Sequence, residues 1–122
     1  MGKWVILIGD KDFTLSQFDH MTFSGNIGIS RLEYSLTVKY EDGSACFLAD
    51  ENGLIISDYD PEEIKQLPFD EPVMVMLQYS DVDVLKRIID YHDFPNNCLI
   101  DCDGVSLGID STSLREYLRS HN

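Results

Sequence analysis

VMVMLQYSDVDVLKRIIDYHDFPNNCLIDCDGVSLGID, residues 73–110, holds the longest apolar run and the longest helical pattern of the chain. Val73 to Tyr79 is apolar on both faces for most of its length, which marks a central, buried strand. Ser80 with Asp83 three residues on has the spacing of a capping box. Leu85, Ile88, Ile89 and His92 fall at i, i+3, i+4 and i+7, so they form one inward stripe. Lys86, Arg87, Asp90 and Asp93 lie off it. Pro95 ends the helix, because the residue before a proline avoids helical angles. Asn96-Asn97 turns the chain into a strand at CLIDC, residues 98–102. Asp103-Gly104 then forms a hairpin turn, and Val105, Leu107 and Ile109 alternate with Ser106 and Gly108. A strand, a helix of about a dozen residues and a second strand predict a crossover unit with the two strands parallel.

Upstream, Trp4 to Ile8 is a continuous apolar run closed by Gly9-Asp10, the pattern of a buried strand. Thr14 and Gln17 have capping-box spacing, Phe13 and Phe18 that of a hydrophobic staple, and a short helix is expected from Leu15 to Met21. Residues 22–30 show no period and read as a loop. Leu32, Tyr34, Leu36, Val38 and Tyr40 alternate with polar residues, so one face of a strand is apolar. Asp42-Gly43 is a two-residue hairpin signal. It pairs Tyr40 with Ala45, Val38 with Phe47 and Leu36 with Ala49. Asn52-Gly53 repeats the signal before LIISDY, so residues 32–59 read as a three-stranded meander. Asp60-Pro61-Glu62-Glu63 starts a helix, with an Asp cap and Pro at the first position. Pro68 and Pro72 bracket a loop. Ser113 and Glu116 cap a last helix with Leu114, Tyr117 and Leu118 inward. The expected fold is a single α+β domain over residues 1–122. Its sheet is mixed but mostly antiparallel, with the meander, a C-terminal βαβ-plus-hairpin unit and helices packed on one face.

Charge bounds the function. Twenty-two Asp and Glu face nine Lys and Arg, a net of −13 over 122 residues. That balance opposes binding to nucleic-acid phosphates, which needs clustered cations. It equally opposes docking on an anionic membrane, and it favours a basic protein partner. Three cysteines without framework spacing read as reduced thiols inside a cell. The opening MGKWVILIGD is too short for a signal peptide or a membrane span, and Met1-Gly2 lacks the Ser or Thr that myristoylation requires. The expected location is the cytoplasm. A chain of this size buries enough surface to fold without disulfide or metal, and no cofactor is expected.

One motif suggests chemistry. CLIDCDGVSLG resembles the first motif of the haloacid-dehalogenase-like phosphatases, in which two Asp residues work around Mg²⁺. The resemblance would make Asp101 the nucleophile and Asp103 the acid/base. It covers about eight residues, and the family's later motifs need a hundred or more residues where only eighteen follow Gly104. The alternative is a turn at Asp103-Gly104 with Asp101 facing solvent, and no catalysis is expected. Cys98 and Cys102 share one strand face roughly 13 Å apart, too far to pair or to chelate one ion. His20, His92 and His121 are scattered, and Gly25-Asn26-Ile27-Gly28 lacks the spacing and lysine of a phosphate loop.

The broader pattern is acidic. Residues 41–71 carry ten acids and one base, Lys65. The meander reading brings Glu41 and Asp42 to the same end of the sheet as Asp58, Asp60, Glu62 and Glu63, an edge that would steer a basic partner. Small acidic α+β proteins without a catalytic motif resemble the immunity proteins of bacterial toxin systems. That resemblance rests on size and charge, and implies a blocked basic partner such as a nuclease-type toxin. The alternative is an adaptor that binds through an apolar sheet surface or an edge strand. A small-ligand-binding domain is a further option.

Overall fold

The computed structural model describes residues 3–91, 93–95, 98–102 and 105–106. It is an α+β fold built on one antiparallel sheet. Six strands have four residues or more: β1 (Lys3–Gly9), β2 (Gly28–Arg31), β3 (Ser35–Tyr40), β4 (Gly43–Ala49), β5 (Val73–Tyr79) and β6 (Leu99–Cys102). A two-residue β7 (Val105–Ser106) completes the order β2-β3-β4-β5-β1-β6-β7. Among the described residues every pairing is antiparallel, so the expected mixed sheet is corrected. The apolar runs lie where two-sided burial requires them. β1 and β5 are neighbours inside the sheet, and Val5, Ile6, Leu7, Ile8, Met74, Val75 and Leu77 are all buried.

The crossover was legible in direction but not in adjacency. β5 and β6 both run antiparallel to β1, so they are parallel to each other with β1 inserted between them. The helix between them, α2 (Val82–Ile89), packs Val84, Leu85, Ile88 and Ile89 into the core. Its cap is Asp81, whose carboxylate accepts from the Val84 N–H at 3.0 Å. The expected Ser80 cap is corrected: Ser80 extends the β4–β5 pairing, donating its N–H to the Ser44 carbonyl and accepting the Ser44 N–H on Oγ. Asp81→Ala should therefore lower stability by about 1 kcal/mol in urea denaturation, the usual cost of a lost cap.

The meander exists, but with different members. The segment 22–30 holds the first three residues of β2, which pairs with β3, so the strands are β2, β3 and β4. Leu32 and Tyr34 stand exposed in the β2–β3 turn. LIISDY is not a strand. Asn52 and Gly53 do take the left-handed backbone expected of Asn-Gly, at φ 62° and 70°, but they turn the chain into 3₁₀ turns at Glu51–Gly53 and Ile56–Asp58. The β3–β4 hairpin turns one residue earlier than expected, with Glu41-Asp42 as its two-residue loop and Tyr40 opposite Gly43. Val38 thus pairs with Ala45 and Leu36 with Phe47, two residues from the expected register. A shift of two keeps every side chain on its face, so the expected core face survives.

Helical segments cover both faces of the sheet, which corrects the one-sided packing. On the first face lie α2 and the crossover from β1 to β2, whose Phe13, Leu15, Phe18, Met21 and Phe23 are buried against Phe47, Leu36 and Val38. The first turn of that crossover is 3₁₀, over Leu15–Gln17, and Thr14 makes no capping bond to the backbone. The aromatic pair holds it instead, with Phe13 edge-on to Phe18 at 5.7 Å. On the second face, the connection from β4 to β5 buries Ile6, Ile8 and Met74 under Ile55, Ile56, Tyr59, Ile64, Leu67 and Phe69. It includes α1 (Pro61–Lys65), which begins as the sequence predicts: Asp60 caps it and Glu63 closes the capping box. Asp103-Gly104, Asn96-Asn97, His92, His121 and the last helix lie outside the described residues.

Candidate binding cleft and the acidic surface

The β4–β5 connection leaves and returns at one end of the sheet, because β4 and β5 are antiparallel neighbours. Asp50 ties its start, accepting from the N–H groups of Ile55 and Ile56 at 2.6 and 3.0 Å. Asp10 ties its end. It accepts from the N–H of Glu71 and of Lys11, bonds that hold its carboxyl below the usual carboxylate range. Between these anchors the chain turns Tyr59 inward toward β6. The Tyr59 hydroxyl donates to Asp101 Oδ2 at 2.5 Å. Asp101 follows from strand parity: it shares a face with Leu99 and stands opposite Ile6, while Ile100 points into the first core. It is half-buried, which corrects the expectation that it faces solvent.

Beside this bond lies a cleft of about 260 Å³ between α1 and β6. Ile8, Leu67, Pro68 and Leu99 give it apolar walls, and Tyr59, Glu63, Gln66 and Asp101 give it polar ones. Burial pushes the Tyr59 hydroxyl well above its ordinary range. The bond to Asp101 and the charges of Asp101, Glu63 and Asp58 push it further the same way. Tyr59 is therefore a fixed neutral donor at any working pH. Among the described residues nothing donates to Asp101 Oδ1, which leaves that oxygen available to a ligand.

The six carboxylates expected on one edge fall into two groups. Glu41 and Asp42 form the β3–β4 turn, which packs beside the start of α2. There Arg87 binds both oxygens of Asp42, at 3.2 and 3.0 Å, and stacks over the Tyr40 ring at 4.7 Å. The Arg87 hydrogen bond holds the Asp42 carboxyl below its usual range. Asp58, Asp60, Glu62 and Glu63 belong to the connection on the opposite face of the sheet, and all four are exposed. The convergence required LIISDY to return as a strand; because it does not, the two groups stay apart. Asp60 and Glu63 spend one oxygen each on the capping box, and Glu62 sits 3.7 Å from Lys65 in a fully hydrated pair. The structure adds a member that the acidic pattern missed, since Asp101 joins Asp58 and Glu63 around the Tyr59 hydroxyl. The signal was the position of Asp101 between Ile100 and Cys102, which puts it on the Leu99 face.

Cys98 is buried in the first core, where its thiol donates to the Pro95 carbonyl at 3.8 Å, and Cys46 is half-buried in β4. Among the described residues no three of His, Cys, Asp or Glu are grouped as metal ligands. Among them too, no helix is long and apolar enough to cross a membrane. Comparison with protein-family models, curated proteins and solved structures finds no match.

Proposed function

We propose that this protein is a non-enzymatic binding protein that covers a basic protein partner, as toxin-immunity proteins do. The observation that carries the reading is the surface of the β4–β5 connection. It displays Asp58, Asp60, Glu62 and Glu63, whose one ion pair among the described residues is Glu62 with Lys65, on a chain of net charge −13. Such a field attracts a cationic surface at long range and raises its association rate. Glu41 and Asp42 contribute less, because Arg87 already neutralises Asp42.

Association on the order of nanomolar at low salt, weakening as salt rises, is the expected behaviour. Asp58→Lys and Glu62→Lys should each weaken it about tenfold, chiefly through a slower association rate. Asp60→Lys is the poorer probe because it also removes the α1 cap. Affinity unchanged by both reversals would contradict the reading.

One observation favours a second reading, an adaptor that accepts a partner's strand. β2 is an edge of the sheet. Leu32 donates its N–H to the Ser35 carbonyl, so the alternation of an antiparallel pair aims the backbone groups of Ile29 and Arg31 outward. Ile27, Ile29, Leu32 and Tyr34, 46–65% exposed, surround that edge. Strand addition there would respond little to salt, which separates it from the acidic contact.

A further inference from the structure

We propose that the cleft between α1 and β6 receives one arginine side chain of the basic partner. The inference rests on the reading of a basic partner and names the contact that would anchor it. The cleft combines the two kinds of wall that an arginine side chain needs. Leu67 and Leu99 offer apolar surface for the methylene stem, while Glu63 and Asp101 offer carboxylate oxygens for the head. Tyr59 fixes Asp101 from one side, through Oδ2, so the orientation of Oδ1 is set before any ligand arrives. A pre-set acceptor costs little ordering on binding. Glu63 is likewise held: Oε1 accepts from the Asp60 N–H at 3.1 Å, so the side chain cannot swing away from α1 without opening the capping box.

Charge selects the sign of the occupant. The Tyr59 hydroxyl feels Asp101, Glu63 and Asp58 together, so an anionic group would enter that field at a loss and an uncharged one without the gain open to a cation. Separated acceptors select its shape, because among the described residues no three acidic side chains are grouped tightly enough for a metal ion. A planar guanidinium carries five donors, can reach separate carboxylates at once and is more weakly hydrated than an ammonium. That suits a cleft with apolar walls better than lysine does. Arginine is also among the residue types that most often anchor a binding hot spot from within a pocket.

The test is a titration of the ¹⁵N-labelled protein with N-acetyl-arginine amide, followed by two-dimensional NMR. N-acetyl-citrulline amide, N-acetyl-lysine amide and free arginine serve as comparisons. The expected result is saturable shifts centred on Leu67, Leu99 and Asp101, with a dissociation constant on the order of millimolar. Lysine should bind several-fold more weakly and citrulline should not bind. Asp101→Asn should weaken binding about tenfold, as loss of one charge-assisted contact does. If that variant unfolds, Glu63→Gln serves the same purpose. Absent shifts in the cleft, or equal shifts with citrulline, would overturn the proposal. So would free arginine binding more tightly than the capped amide, which would assign the cleft to a small molecule. The titration uses no partner. Its failure beside effective Asp58 and Glu62 reversals would remove the arginine contact and leave the acidic-surface reading standing.

Discussion

Phe18→Ala is expected to lower the unfolding free energy by about 3–5 kcal/mol, the range for emptying an aromatic site in a packed core. Phe18 is fully buried and joins three parts of the fold. Its ring stacks on Phe47 of β4 at 4.4 Å, meets Phe13 edge-on at 5.7 Å and lies 6.2 Å from Phe94, beyond the end of α2. The backbone hydrogen bonds around Phe18 close short turns within the crossover itself, so its position under the sheet depends on the apolar side chains it inserts there. Removing the ring leaves a cavity bounded by other rings that cannot collapse into it. Urea denaturation measures the change. A loss under about 1 kcal/mol would mean that the crossover does not pack on β4 as described.

Gly43→Ala is the second large effect, a loss of about 1–3 kcal/mol through overpacking. A Cβ at Gly43 would stand 2.3 Å from Ser80 Oγ and 2.8 Å from Val84 Cγ2. Neither neighbour can yield cheaply. Ser80 Oγ accepts the Ser44 N–H at 2.9 Å, and Val84 is buried in the first turn of α2. Adding Ser80→Ala should recover part of the loss by removing the nearest atom. Gly28→Ala is the control, since a Cβ there meets nothing within 4 Å and the substitution should be close to neutral. Equal effects at the two glycines would contradict the seating of α2 against the hairpin.

These two sites show how far the sequence could be read. Gly43 is visible as a turn glycine, and the hairpin is real. Its reason is different: the backbone there is not left-handed, and glycine is needed because the start of α2 comes too close for a side chain. That is a contact of Gly43 with Ser80 and Val84, far along the chain, which no local pattern records. The apolar runs of β1 and β5, the stripe of α2 and the Asp60 cap follow from period and cap chemistry, so they were legible. β2 was not, because an exposed edge strand has no buried face to impose alternation; only Gly28 is less than exposed within it. LIISDY fails for the opposite reason. Its Ile55, Ile56 and Tyr59 are apolar enough for a strand, but they cover the second face of the sheet from outside it. The acidic site inherited that error. Asp58, Asp60, Glu62 and Glu63 stay together because they are local in sequence, and Glu41 and Asp42 leave because their place depended on the missing strand. Asp101 entered through a motif that resembles phosphatase chemistry, and the structure gives it a hydrogen bond to Tyr59 that the motif does not foresee.

The most direct test compares two immobilised baits, the wild-type chain and Asp58→Lys/Glu62→Lys, incubated with the same lysate at low and at high salt. The expected result is a basic protein retained by the wild type at low salt, released at high salt and absent from the doubly reversed bait. A partner held equally by both baits, and indifferent to salt, would contradict it and point to the β2 edge instead.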